Sequence, residues 1–184
     1  MAHKENQRIV LTRRLLQEGL LRLLSTQKLE EISVTALCKE SGINRATFYN
    51  HYSSPVQLLQ EMEETLVREL LRLHPPANNI EETLQYTERC CALLKENATL
   101  VDILVRYRID QNLEHFIFGV TQHYIEHRVD IFNIPMDNVT SHLVSAYLYT
   151  GCYALIREWL IHDFDKTPKE IAELLVDIIN KNYL

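Results

Sequence analysis

Glycine and proline are scarce in this chain, four and five among 184 residues. A β-rich fold with many tight turns draws heavily on both, so their scarcity works against one. No internal repeat and no low-complexity stretch is present. There is no Gly-x-Ser-x-Gly, no phosphate-binding glycine loop and no paired-carboxylate spacing beyond chance, so the chain is read as a non-enzyme with no catalytic residues. The four cysteines, Cys38, Cys90, Cys91 and Cys152, include no Cys-x-x-Cys pair. With a polar, charged start and no secretory segment, they are expected to be reduced thiols of a cytoplasmic protein. The most apolar stretch, Leu143–Ile161, carries Arg157 and Glu158, which makes it a buried helix rather than a membrane span.

The net charge of −6, taken whole, argues against nucleic acid. Its distribution argues the other way. Residues 1–54 hold eight Lys or Arg against five Glu, a net of +3, and the remainder carries −9. A basic head on an acidic body directs a phosphate backbone to the head alone.

Within that head, residues 33–52 read as two short helices joined by a tight turn, the layout of a helix-turn-helix. Ser33 can cap a helix whose apolar positions Val34, Leu37 and Cys38 follow helical spacing. Gly42 falls where a left-handed C-terminal cap is expected. Asn44 can cap a second helix carrying Arg45, Thr47, Tyr49, Asn50 and His51, whose side chains can reach phosphates or base edges while Phe48 and Tyr52 pack inward. Arg45 is the expected base reader, because a guanidinium can take guanine O6 and N7 together. Thr47, Tyr49 and His51 are expected on phosphates.

The run Thr47-Phe48-Tyr49-Asn50-His51-Tyr52, followed by a helix with Leu58 and Leu59, resembles the DNA-binding domain of TetR-family transcriptional regulators. The family pattern is roughly Thr-Leu-Tyr-x-His-Phe-x-x-Lys after Ala-Gly-Val, whose place is taken here by Ser41-Gly42-Ile43. The resemblance covers about residues 8–70 in sequence and the whole chain in plan. It implies an all-α protein with a DNA-binding domain over 1–54 and a helical effector-binding and dimerisation domain over 55–184, connected by a helix over 55–74. It also implies DNA contact from Ser33, Thr35, Asn44, Arg45, Ala46, Thr47, Tyr49, Asn50 and His51. The partners implied are a palindromic double-stranded operator, a second copy of the chain and an unidentified small-molecule effector, with no membrane, cofactor or metal. Repression is the usual mode; the alternative is a TetR-like protein that acts through a protein partner and has no effector. One departure is Pro55, where the family usually has Lys. A phosphate contact is lost there, and the helix N-terminal amides are left to face a phosphate.

Every other segment long enough to judge also reads as helix. The first spans about 8–26, with Leu16, Gly19, Leu20 and Leu23 inward. Ser54, Pro55 and Gln57 start the helix that ends before Pro75-Pro76. Asn79 with Glu82 opens the next, to about 96. Two further helices span about 99–108 and 111–131. Asp137 caps a helix over about 138–162, and Thr167-Pro168-Lys169-Glu170 starts the last.

The helix over 138–162 is apolar nearly all round, through Leu143, Val144, Ala146, Tyr147, Leu148, Tyr149, Tyr153, Leu155 and Ile156, so more than one side should be covered. With the last helix it looks like the family's four-helix dimer interface. The residues expected there are Leu143, Tyr147, Gly151, Ala154, Ile171, Leu174, Leu175 and Ile178. Gly151–Leu160 also looks like the C-terminal half of Gram-positive members. Tyr86, Cys90, Leu94, Leu104, Tyr107, Phe116, Val120, Tyr124 and Tyr147 are candidates for lining an effector cavity. His123 and His127 lie at i, i+4 beside Glu126, but no third ligand is evident, so they read as hydrogen-bonded histidines rather than a metal site. The adjacent Cys90 and Cys91 read as small buried hydrophobes rather than oxidant sensors.

Overall fold

The computed structural model describes residues 2–73, 80–107, 109–127, 137–162 and 165–180, with side chains for all of these except 2–6, 124–127 and 180. Among the described residues the fold is all helix, in the order α1 (Ala2–Leu24), a 3-10 turn (Leu29–Glu31), α2 (Val34–Ser41), α3 (Arg45–Tyr49), α4 (Pro55–Leu71), α5 (Ile80–Glu96), α6 (Ala98–Tyr107), α7 (Gln111–His127), α8 (Asn138–Ile161) and α9 (Pro168–Asn180). The 3-10 turn has no counterpart in the sequence reading. It is a single hydrogen-bonded turn anchored by one buried residue, Leu29, too short to show periodicity.

Side chains set most of the helix starts. Ser33 accepts from the Ala36 amide at 3.1 Å, Asn44 from Thr47 at 2.8 Å and Asp137 from Thr140 at 2.7 Å. Each satisfies an amide that the first turn leaves without a helical partner. At the start of α4 the Gln57 amide donates to Ser54 Oγ at 3.2 Å. The return bond differs from the expected box: Gln57 Oε1 accepts from the amide and hydroxyl of Ser53, at 2.6 and 2.9 Å. Pro55 at the first helical position needs no amide partner. The linker at Pro75-Pro76 and the Asn79 cap lie outside the described residues, as does the expected extension of α7 to 131.

The chain packs as two units, one within Met1–Thr65 plus Ile103–Ile109, the other within Leu66–Asp102 plus Asp110–Leu184. α4 and α6 each run unbroken from one to the other. This division differs from a boundary at 54/55 in the first part of α4 and in the 103–109 segment.

In the first unit Leu16, Leu20 and Leu24 of α1 are buried with Leu37, Phe48, Tyr52, Leu58, Leu59 and Leu104. A Cβ at Gly19 would lie 3.1 Å from Ser41 Cβ, so the missing side chain is what lets α1 and α2 approach so closely. Arg22 binds Glu40 at 2.6 Å across the same pair, and Arg13 binds Glu61 at 3.2 Å. The Tyr107 hydroxyl accepts from the Leu29 amide at 3.2 Å and faces the Gln27 carbonyl at 3.4 Å, fixing the loop before α2.

In the second unit α5 packs on α9 and α7 on α8. The Tyr153 hydroxyl donates to the buried Asp110 carboxylate at the head of α7. Trp159 is buried, donates Nε1–H to the Lys166 carbonyl at 3.0 Å, and carries the Lys95 ammonium 5.3 Å from its ring centre. None of the described helices is long and apolar enough to cross a membrane.

The start of α9 yields a pH prediction. Thr167 N–H donates to Glu170 Oε2 at 2.9 Å, Glu170 N–H to Thr167 Oγ1 at 3.2 Å, and Lys166 Nζ to Glu170 Oε1 at 2.7 Å. The Lys166 hydrogen bond first, then the Thr167 bonds, lower the Glu170 carboxyl from 4.5 to about 2. A depressed carboxyl contributes stability above its unfolded value and loses it as pH falls through the folded one. The stability difference between wild type and Glu170→Gln is therefore expected to be full above pH 4.5 and to vanish towards pH 2. Denaturant titrations across that range check it; a difference independent of pH would exclude the box as its source.

Candidate nucleic-acid interface and C-terminal cavity

The helix-turn-helix is built from local rules. Gly42 ends α2 at φ 69°, a left-handed conformation that favours glycine, and the Gly42 and Ile43 amides both return to the Cys38 carbonyl. Asn44 then opens α3. The core side of this short helix is Phe48, fully buried, with its ring 5.5 Å from that of Tyr49 and 5.9 Å from that of Tyr52. Tyr52 is also buried, and its hydroxyl donates to Glu61 at 3.3 Å. Burial first, then the Glu61 charge, pushes the Tyr52 phenol up to about 12, so it remains a neutral donor.

The opposite side of α3 is open. Asn44, Arg45, Ala46, Tyr49 and Asn50 are exposed, as are Ser33 and Thr35 at the start of α2, while Thr47 and His51 are half-buried. The Arg45 guanidinium lies 5.9 Å from the Tyr49 ring centre, one helical turn along, which steadies the cation without neutralising it. Arg13, Arg14 and Arg22 have acidic partners. Arg45 and Lys39 form no ion pair among the described residues, so the charge at the two short helices is uncompensated.

Pro55 is buried. The position where the family carries Lys is therefore packed within this protomer. Of the first amides of α4, that of Gln57 is engaged by Ser54 Oγ.

The second unit holds a partly open cavity of about 100 Å³. α5 contributes Thr83, Tyr86, Thr87, Cys90, Cys91 and Leu94; α7 contributes Phe116, Ile117, Val120, Thr121 and His123; α8 contributes Cys152 and Ile156; α9 contributes Leu175, Val176 and Ile179. Of the candidates for an effector site, the structure brings together Tyr86, Cys90, Leu94, Phe116 and Val120. Leu104 and Tyr107 do not join them, because they belong to the first unit, where Leu104 is core and Tyr107 holds the Leu29 loop. Tyr147 is 60% exposed on the outer side of α8. The Tyr124 side chain lies outside the described residues. The threonines, Cys91, His123 and Cys152 were missed. Their helical spacing to the chosen aromatics was the available signal, since Thr83, Thr87, Cys90 and Leu94 follow one face of α5.

The expected dimer residues divide in the same way. Val139, Leu143, Tyr147, Gly151 and Ala154 form one exposed stripe along α8, with Leu143 62% exposed, and Leu174 on α9 is 46% exposed. Ile171 and Leu175 are buried; Leu175 lies between the cavity and an outer groove that it shares with Tyr147, Gly151 and Ala154, and Ile171 lies beside Leu174 in a second groove. Ile178 is half-buried in a groove with Tyr147, Gly151 and Ala154.

An Asn-capped second helix, exposed and cationic on one side and anchored by an aromatic on the other, defines a helix-turn-helix protein. Comparison with known proteins narrows this. Residues 81–181 match the TetR family described as a transcriptional regulator C-terminal region. An uncharacterized HTH-type transcriptional regulator of Bacillus subtilis strain 168, YxbF, is 28% identical over 176 residues, 92% of this chain. The chain spans about half of that relative's length, 46%. A TetR-family regulator from Bordetella parapertussis 12822 shares the fold at 15% identity and TM-score 0.68, covering 93% of this chain and 95% of its own. The dihydroxyacetone kinase operon activator DhaS does so at 19% identity and TM-score 0.61, covering 94% and 96%. The chain belongs to the TetR family of transcriptional regulators.

The two sides of α3 should separate in stability measurements. Phe48→Ala is expected to destabilise the protein by about 3–5 kcal/mol, the cost of emptying a buried aromatic site. Arg45→Ala should cost less than about 1 kcal/mol, since only an exposed cation–ring contact is lost. Chemical denaturation of both variants tests this, and comparable losses would mean that Arg45 is part of the core.

Proposed function

We propose that the chain is a ligand-responsive repressor that binds a palindromic double-stranded DNA operator as a homodimer. The observation that carries this is α3, whose fixed side is the buried Phe48 and whose free side presents Arg45, Tyr49 and Asn50 beside the half-buried Thr47 and His51. In the major groove Arg45 reads guanine, Thr47, Tyr49 and His51 hold phosphates, and Ser33, Thr35, Asn44, Ala46 and Asn50 complete the contact surface. The exposed stripe of α8 with Leu174 supports dimerisation, because contiguous apolar surface of this kind marks an interface. The cavity supports an effector over the alternative of a protein partner with no small molecule. Both ends of α4 are tied to packing, one in each unit. An effector that displaces α4 changes the separation of the two recognition helices, and affinity falls because half-sites have fixed spacing.

Arg45→Ala should cost about 1–3 kcal/mol at the preferred operator and relax base choice there. Tyr49→Phe should weaken binding about equally on all sequences, as loss of a phosphate contact does. Titration against operator and random DNA decides; equal losses for both variants on both DNAs would remove Arg45 from base reading. Leu143→Glu and Leu174→Glu, each placing a charge on the exposed stripe, are expected to give monomers by light scattering. A dimer that survives both changes has its interface elsewhere.

A further inference from the structure

The cavity of the second unit is specific in what it withholds. Among the described residues no Asp, Glu, Lys or Arg lines it, and His123 is the ionisable nitrogen base in its wall. An ionised ligand would lose its hydration there and meet no carboxylate, ammonium or guanidinium among the described lining residues. Its hydroxyl donors are largely engaged already. Thr87 donates to the Thr83 carbonyl and Thr121 to the Ile117 carbonyl, both at 2.8 Å, and Tyr86 is hydrogen-bonded to Cys90. Three thiols, Cys90, Cys91 and Cys152, face the same space. Burial pushes them up to about 11, 12 and 11, so near neutral pH they remain uncharged. Neutral sulfur is soft and polarizable and favours the edges of aromatic rings. The volume of about 100 Å³ bounds the ligand. A void of about 150 Å³ lined by carbon stays dry and binds benzene.

We propose that this cavity takes a small, uncharged, largely apolar ligand of about one aromatic ring, held by sulfur and carbon contacts rather than by an ion pair. The proposal rests on reading the cavity as the effector site and names the chemistry of the effector. Cys90, Cys91 and Cys152 are then packing groups that meet the ligand, not nucleophiles, since a thiol reacts as its thiolate. The outer part of α9 is exposed at Leu174 while Leu175 and Val176 line the cavity, so a ligand there presses on the helix that contributes to the proposed dimer surface.

Three probes of similar size separate the possibilities by calorimetric titration of the full chain: neutral p-cresol, anionic benzoate and cationic benzylamine. Binding of p-cresol at least about tenfold tighter than either ion is expected. Two independent substitutions that fill the cavity, Val120→Phe and Cys152→Leu, should each weaken p-cresol about tenfold or more, with folding monitored by circular dichroism. Benzoate or benzylamine binding as tightly as p-cresol overturns the neutral class. The proposal also fails if no probe binds wild type, or if p-cresol binding survives in a folded, filled variant. The effector reading itself is judged by adding p-cresol to the operator complex. If p-cresol binds and is lost on filling, but operator affinity does not change, the ligand class stands and the effector role falls.

Discussion

A helix of five residues has no stability of its own in water, because nucleation costs more than one turn of hydrogen bonds returns. α3 is that short, and it holds its shape because Phe48 is buried completely and Asn44 fixes its first turn. The exposed side of the helix-turn-helix depends on this anchor. With Phe48 seated against Tyr49 and Tyr52, the side chains of Arg45, Tyr49 and Asn50 have only one direction left, outward. The close approach at Gly19 supports the same unit from behind, bringing α1 against α2 and letting Arg22 reach Glu40.

The second unit solves a different problem. Its helices are apolar over wide arcs, and not all of that surface can be covered within one protomer. α9 has only thirteen residues, yet it separates a cavity from an exposed groove. Val176 and Ile179 line the former, Ile178 faces the latter, and Leu175 touches both. α8 is arranged likewise, with Ser145, Leu148 and Trp159 buried and Leu143 and Tyr147 exposed. The cavity and an exposed apolar groove therefore share wall residues, Cys152 and Leu175. Any change in how the cavity is filled alters the wall that supports the surface.

Much of the fold was legible because helix ends obey short-range chemistry. Ser33, Asn44, Asp137 and the Thr167–Glu170 pair each bind an amide three residues away, so the signal and its partner fall within one turn of sequence. Gly42 was legible for the same reason, since a left-handed cap is a property of one residue. The exposed residues of α3 could be chosen because Phe48 and Tyr52 were identifiable as the inward set, which left most of their neighbours outward. Gln57 was the exception among caps: its carbonyl reaches Ser53 rather than Ser54, a choice made by rotamer and loop geometry.

What the sequence determined by itself, among the described residues, was that the segments are helices, most of the caps that start them, and which side of α3 packs inward, because these follow from spacing within a few residues. What it could not decide was which apolar side chain meets which neighbour. Leu174 and Leu175 are adjacent and chemically identical, but one is exposed and the other lines the cavity. Tyr107 looked like a ligand contact and instead holds the loop at Leu29, seventy-eight residues earlier. Periodicity gives a helix an apolar side without naming what covers it. Only the packing of distant segments assigns each arc of that side to core, cavity or surface, and that assignment decided where Leu104, Tyr107, Tyr147, Ile171 and Leu175 lie within the protomer.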